Sequence, residues 1–232
     1  MNFLLECQTM TLENTVKLIT SIISFASIII LTFSIFRIPI RMHHYIIALM
    51  ALVLGTVSFY NKFINNTSWF FILILSFYII LLMLLKKYPI FYSFMVCGIG
   101  FVTSALLDTL LSFIEIQLHL TTIERLKTST TDFVITNIIY AIISCLISFI
   151  LQKYKIGFSF IIRRFYASKR ILKSYNFFLA GVILISLIAV QLASMEVDVH
   201  AYWLLTILCS LLITLVWAYI QNKKALRDRY GR

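Results

Sequence analysis

Charge is what this sequence has least of. Asp, Glu, Lys and Arg make up 12% of its 232 residues, about half the roughly 25% of a soluble domain. So few charges cannot cover a water-soluble core of this size, which excludes an ordinary soluble fold. Proline occurs twice and glycine six times. That excludes proline-rich linkers, low-complexity tracts and a glycine-rich phosphate loop. The sequence has no HExxH zinc motif and no paired carboxylates inside a hydrophobic run. Four cysteines show neither CxxC nor Cys/His spacing. Cys97, Cys145 and Cys209 lie in apolar runs and Cys7 near the start, as small apolar residues would. No metal and no cofactor is therefore expected, and the chain reads as non-enzymatic.

What is abundant is apolar surface. Hydrophobic residues are 61% of the chain and the mean hydropathy is +0.98. A membrane span needs about 20 apolar residues. Seven such segments are predicted, at 16–36, 45–60, 69–85, 91–114, 133–151, 175–195 and 201–220. Tyr45, Tyr60, Trp69, Tyr175, Tyr202 and Tyr219 stand at segment edges, as aromatic belts do. The expected fold is all-α, a polytopic membrane bundle of seven transmembrane helices. Residues 1–15 read as an outside tail. They carry Glu6 and Glu13 and lack the basic start and small-residue cleavage site of a signal peptide, so the first span is expected to be retained.

The net charge of +11 would suggest nucleic acid in a soluble protein, but here the basic residues are sorted by connection. Sixteen of the twenty Lys and Arg fall in 37–44, 86–90, 152–174 and 221–232. Lys17, Lys62, Arg125 and Lys127 fall on the other side. The positive-inside rule then places the N-terminus outside and the C-terminus in the cytoplasm, with no nucleic-acid partner. Pro39 and Pro89 sit in two similar short turns on the basic side, where each can end one helix and begin the next. Segment 152–174 mixes apolar residues with Arg163, Arg164, Lys169, Arg170 and Lys173. It suits an amphipathic helix on an anionic inner leaflet. With Lys223, Lys224 and Arg227 of the basic tail 221–232, these residues are candidate contacts to lipid or to a cytoplasmic partner. A homodimer is also compatible with the sequence.

The stretch around which the rest should be arranged is 91–119. It carries Asp108, the one acidic residue placed well inside a span, within a stripe of Ser104, Asp108, Ser112, Glu115 and His119. Steps of four, four, three and four put all five on one helix face. A carboxylate at the bilayer centre costs about 2.5–3.5 kcal/mol on insertion scales, so such groups face the bundle or a wet cavity. Asn137, Gln191 and His119 are the candidate partners of Asp108. Two readings stand side by side: a structural hydrogen bond between helices, or a ligand pocket. A separate reading, a membrane cysteine peptidase, would need Cys97 beside His43 or His44. No basic neighbour in sequence activates that thiol.

The turn Phe36-Arg37-Ile38-Pro39-Ile40-Arg41 and the run Ala105-Leu106-Leu107-Asp108-Thr109-Leu110-Leu111, set among seven short-looped spans, resemble the N-terminal sensor region of Gram-positive peptide-sensing histidine kinases of the accessory-gene-regulator type. The likeness is architectural and spans most of the chain. It departs from the family after residue 220, where a phospho-accepting His and an ATP-binding domain would follow; no His occurs after His200. The resemblance implies a bacterial cell-membrane protein of sensor-like or regulatory type. It would take a peptide or apolar ligand from outside and signal through its last helix to a membrane or cytoplasmic partner. The alternative class is a small transporter or substrate-binding membrane subunit, although no span contains a proline to break it.

Overall fold

The computed structural model describes residues 2–40, 43–65, 70–86, 88–118, 129–154 and 157. Among the described residues five α-helices follow one another: α1 (Asn2–Ile35), α2 (His44–Phe59), α3 (Phe70–Lys86), α4 (Ile90–Gln117) and α5 (Thr130–Lys153). A π-helical turn, Tyr60–Ile64, continues α2. Among the described residues there is no strand, and four helical stretches are long and apolar enough to cross a membrane: Leu12–Ile35, His44–Ile64, Tyr92–Glu115 and Thr130–Lys153. This is the architecture of an α-helical membrane protein. α3 is equally apolar but shorter; its 17 residues reach only about 25 Å at 1.5 Å per residue. The segments at 175–195 and 201–220, the basic residues Arg163, Arg164, Lys169, Arg170 and Lys173, and the tail residues Lys223, Lys224 and Arg227 lie outside the described residues.

The helix ends follow local chemistry. α1 closes in a Schellman motif: the Ile38 amide donates to the Phe33 carbonyl at 2.8 Å and the Arg37 amide to Ser34 at 3.0 Å. This requires a left-handed residue, and Arg37 takes it with φ 52°. Pro39 then prevents the helix from resuming. Ser129 caps α5 by accepting from the Asp132 amide at 3.3 Å, with Asp132 in the first turn and Lys153 in the last. α1 begins at Asn2, so the segment read as a tail is helical and runs straight into the first span.

α1 is the hub, packing against α2, α4 and α5, while α3 lies against α2 and α4. The expectation had α4 in that place. Small side chains decide it. Thr20, Ser21, Ser24, Ser27, Thr32 and Ser34 of α1 are all buried, and small residues let helix backbones approach where lipid gives no hydrophobic drive between helices. α5 answers with Thr136, Tyr140, Ser144 and Ser148, four apart and buried, while Ile135, Ile138, Ile142, Leu146 and Phe149 on its other side are exposed. Small hydroxyls inside and large hydrocarbons outside suit a lipid solvent. Two glycines mark the closest approaches. A Cβ on Gly55 would lie 2.7 Å from the Ile22 Cα, and one on Gly100 would overlap the Thr32 side chain.

Several hydroxyls inside these helices are satisfied by their own helix. Thr32 donates to the Ile28 carbonyl, Ser34 to Ile30 and Thr103 to Ile99, each at 2.8 Å. Such bonds give these donors a partner in a low-dielectric interior. Toward the Pro39 and Pro89 ends of the helices, Phe33, Phe36, Tyr78, Leu82 and Tyr92 are essentially fully buried, and Tyr88 meets Tyr92 edge to face with centroids 4.6 Å apart.

Candidate ligand cavity

All five helices contribute to one cavity of about 140 Å³. α1 gives Ser21, Ser24, Phe25 and Ile28, and α2 with its π turn gives Ser58 and Lys62. α3 gives Phe71 and Ile74, and α4 gives Phe101, Ser104, Ala105 and Asp108. α5 closes it with Phe133, Asn137 and Tyr140.

Lys62 reaches this cavity because of how α2 ends. The inward stripe Met50, Ala51, Leu54 and Ser58 is buried, and Lys62 follows Ser58 by one turn. There the helix widens: the Asn65 amide bonds the Tyr60 carbonyl, five residues back, at 3.0 Å. The Asn61 side chain donates to the Val57 carbonyl at 2.8 Å and closes the opened ladder. Single π turns of this kind occur often at functional sites. The Lys62 ammonium lies 4.9 Å from the Phe133 ring centroid and 5.6 Å from that of Phe63. Lys17 of α1 lies 5.4 Å from the Phe63 centroid, and Phe63 meets Phe133 edge to face at 5.3 Å. These aromatic rings offer the two cations the negative faces of their π systems.

Asp108 provides the opposite sign. It lines the same cavity as Lys62, close enough for opposite charges to couple, and Glu115 lies close enough to repel Asp108. Among the described residues Asp108 feels these partners through charge alone, with no side-chain hydrogen bond acting on it. Asp108 and Lys62 are both exposed, and both line the cavity.

The other polar groups on the wall are already bonded. Ser24 donates to Asn137 Oδ1 at 2.8 Å, and Asn137 Nδ2 donates to the Phe133 carbonyl at 2.8 Å. The Ser104 and Tyr140 hydroxyls share a hydrogen bond. Asn137, a candidate partner for Asp108, thus shares its cavity and bonds to α1 and α5 instead.

Of the seven ligand candidates read from the sequence, Ser104, Asp108 and Asn137 come together in the cavity. Ser112 is half-buried and does not line it. Glu115 is 7% exposed and sits between α4 and α5, where its Oε2 accepts from the Thr136 hydroxyl at 2.8 Å and its Oε1 has no partner among the described residues. His119 and Gln191 lie outside the described residues. Cys97 is completely buried in the core. Among the described residues no three His, Cys, Asp or Glu side chains converge as metal ligands.

Sequence reasoning missed Lys62, Tyr140 and the α1 serines. The spacing of small hydroxyl residues was visible: Thr20, Ser24, Ser27 and Ser34 follow helical period. Lys62 carried no such signal, because it fell past the predicted end of a span at residue 60.

No family model matches this chain, and no match is found among curated proteins or solved structures. Its class rests on its own geometry: an α-helical membrane protein with a charged cavity inside the bundle.

Proposed function

We propose that this is a non-enzymatic, multi-pass protein of a bacterial cell membrane that binds a small ligand in the cavity between α1 and α5 and acts as a sensor-like or regulatory module. The observation that carries the reading is the opposed pair Lys62 and Asp108 on one cavity wall set. Holding two unbonded charges in an apolar bundle is costly, and a structural role would have joined them directly. In this reading the chain has seven spans with the N-terminus outside, and ligand enters from the side where Lys17 and Lys62 lie. Occupancy shifts the last span and its basic extension against a signalling partner, with anionic lipid holding segment 152–174.

The second reading is a small transporter or substrate-binding membrane subunit. The π turn at Lys62 favours it, because irregular backbone at a site is how transporters break their helices.

The test has two arms. Ala105→Cys, on the cavity wall, should react in intact cells with a negatively charged, membrane-impermeant methanethiosulfonate, with mass spectrometry locating the label. No label at position 105 would sink the outward-facing cavity. Cross-linking and affinity capture from native membranes then separates the two classes. A kinase or response regulator supports sensing, and an energising ATPase supports transport.

A further inference from the structure

We infer that the ligand is a small zwitterion, a molecule carrying one ammonium and one carboxylate, such as a free amino acid. The inference rests on the cavity being a binding site and names what fits it.

The cavity carries both signs of charge. Lys62 lines it, and Lys17 approaches the same Phe63 ring as Lys62. Asp108 lines it too, with Glu115 two turns further along α4. Lys62 and Asp108 line the same cavity, and no hydrogen bond joins their side chains. A ligand with a single charge would pair with one of them and leave the other uncompensated in a low-dielectric space, where an unpaired charge is costly. A zwitterion pairs both. Its carboxylate goes to Lys62, and its ammonium goes to Asp108, where a second carboxylate adds to the attraction.

Size and the remaining surface agree. An apolar cavity of about 150 Å³ holds benzene, so a cavity of about 140 Å³ holds about six non-hydrogen atoms, the size of a small amino acid. Phe25, Ile28 and Ile74 give an apolar wall for a short hydrocarbon side chain. Asn137, Tyr140 and Ser104 are already bonded to protein groups, so they demand no further polar atoms from the ligand.

The experiment uses the full chain in lipid nanodiscs and reads thermal stability against a probe series of one shape. L-alanine carries both charges, propanoate only the carboxylate, and ethylamine only the ammonium. The twenty amino acids extend the series. At least one amino acid should raise Tm in a saturable way, and its two singly charged analogues should bind at least tenfold more weakly. Lys62→Gln and Asp108→Asn should each weaken that binding about tenfold or more while remaining monodisperse. A singly charged analogue binding as tightly as its parent overturns the inference, and so does a panel in which nothing binds. Because the first comparison uses only the native protein, misfolding of a variant cannot hide the answer. If position 105 is labelled from outside and no zwitterion binds, the ligand class is wrong and the cavity stands. If position 105 is not labelled, the site reading itself falls.

Discussion

Arg37 shows how a single residue is held against its own preference. It occupies the left-handed position of the α1 Schellman motif with φ 52°, where an L-residue with a Cβ is strained by about 1–2 kcal/mol and glycine is usual. The surroundings impose it: Phe33 and Ile38, the two residues joined across the motif, are 0% and 2% exposed. Arg37→Gly should therefore stabilise the protein by about 1 kcal/mol, less the extra chain entropy that glycine brings to the unfolded state. A higher Tm in detergent would show it. An unchanged or lower Tm would mean that the arginine side chain supplies a compensating interaction.

Between elements, the contact of Glu115 with Thr136 ties α4 to α5 through one hydrogen bond at 2.8 Å. The burial is asymmetric, because Oε1 has no partner among the described residues. Removing only the donor leaves the whole carboxyl group bare, which costs about 1–3 kcal/mol, whereas replacing both partners by apolar groups can be nearly neutral. Thr136→Val should accordingly lower stability by that amount, and Glu115→Leu combined with Thr136→Val should recover most of it. A double-mutant cycle by denaturation in mixed micelles measures the coupling. If the double variant is as unstable as the sum of the single ones, the two side chains do not act as a pair.

For the whole molecule, the sidedness of charge is the property to test. Sixteen of twenty basic residues fall in alternate connections, which the positive-inside rule reads as cytoplasmic. Single cysteines at Asn65, beyond the π turn, and at Ile40, beyond the α1 cap, lie at opposite ends of α2. The first should be labelled by an impermeant reagent in intact cells and the second only after permeabilisation. The reverse result would invert the orientation and move the mouth of the cavity to the cytoplasm.

Composition and periodicity determined the class of this protein. Runs of apolar residues must become helices in lipid because every backbone polar group needs an internal partner there. The elements at 45–60, 69–85, 91–114 and 133–151 were accordingly legible to within a few residues at most ends. The stripe through Asp108 was legible too, since helical period alone puts Ser104 and Asp108 on one face. Which helix sits at the centre was not legible. That depends on how closely backbones approach, and the contact of Gly55 with Ile22 exists only once α1 and α2 have packed. Nor could the sequence pair Lys62 with Asp108. They are 46 residues apart in number, lie on different helices, and meet because a π turn carries α2 past its expected end. Hydropathy is a property of neighbours along the chain. The cavity is a property of neighbours across the bundle, and only tertiary structure could bring its opposite charges to one space.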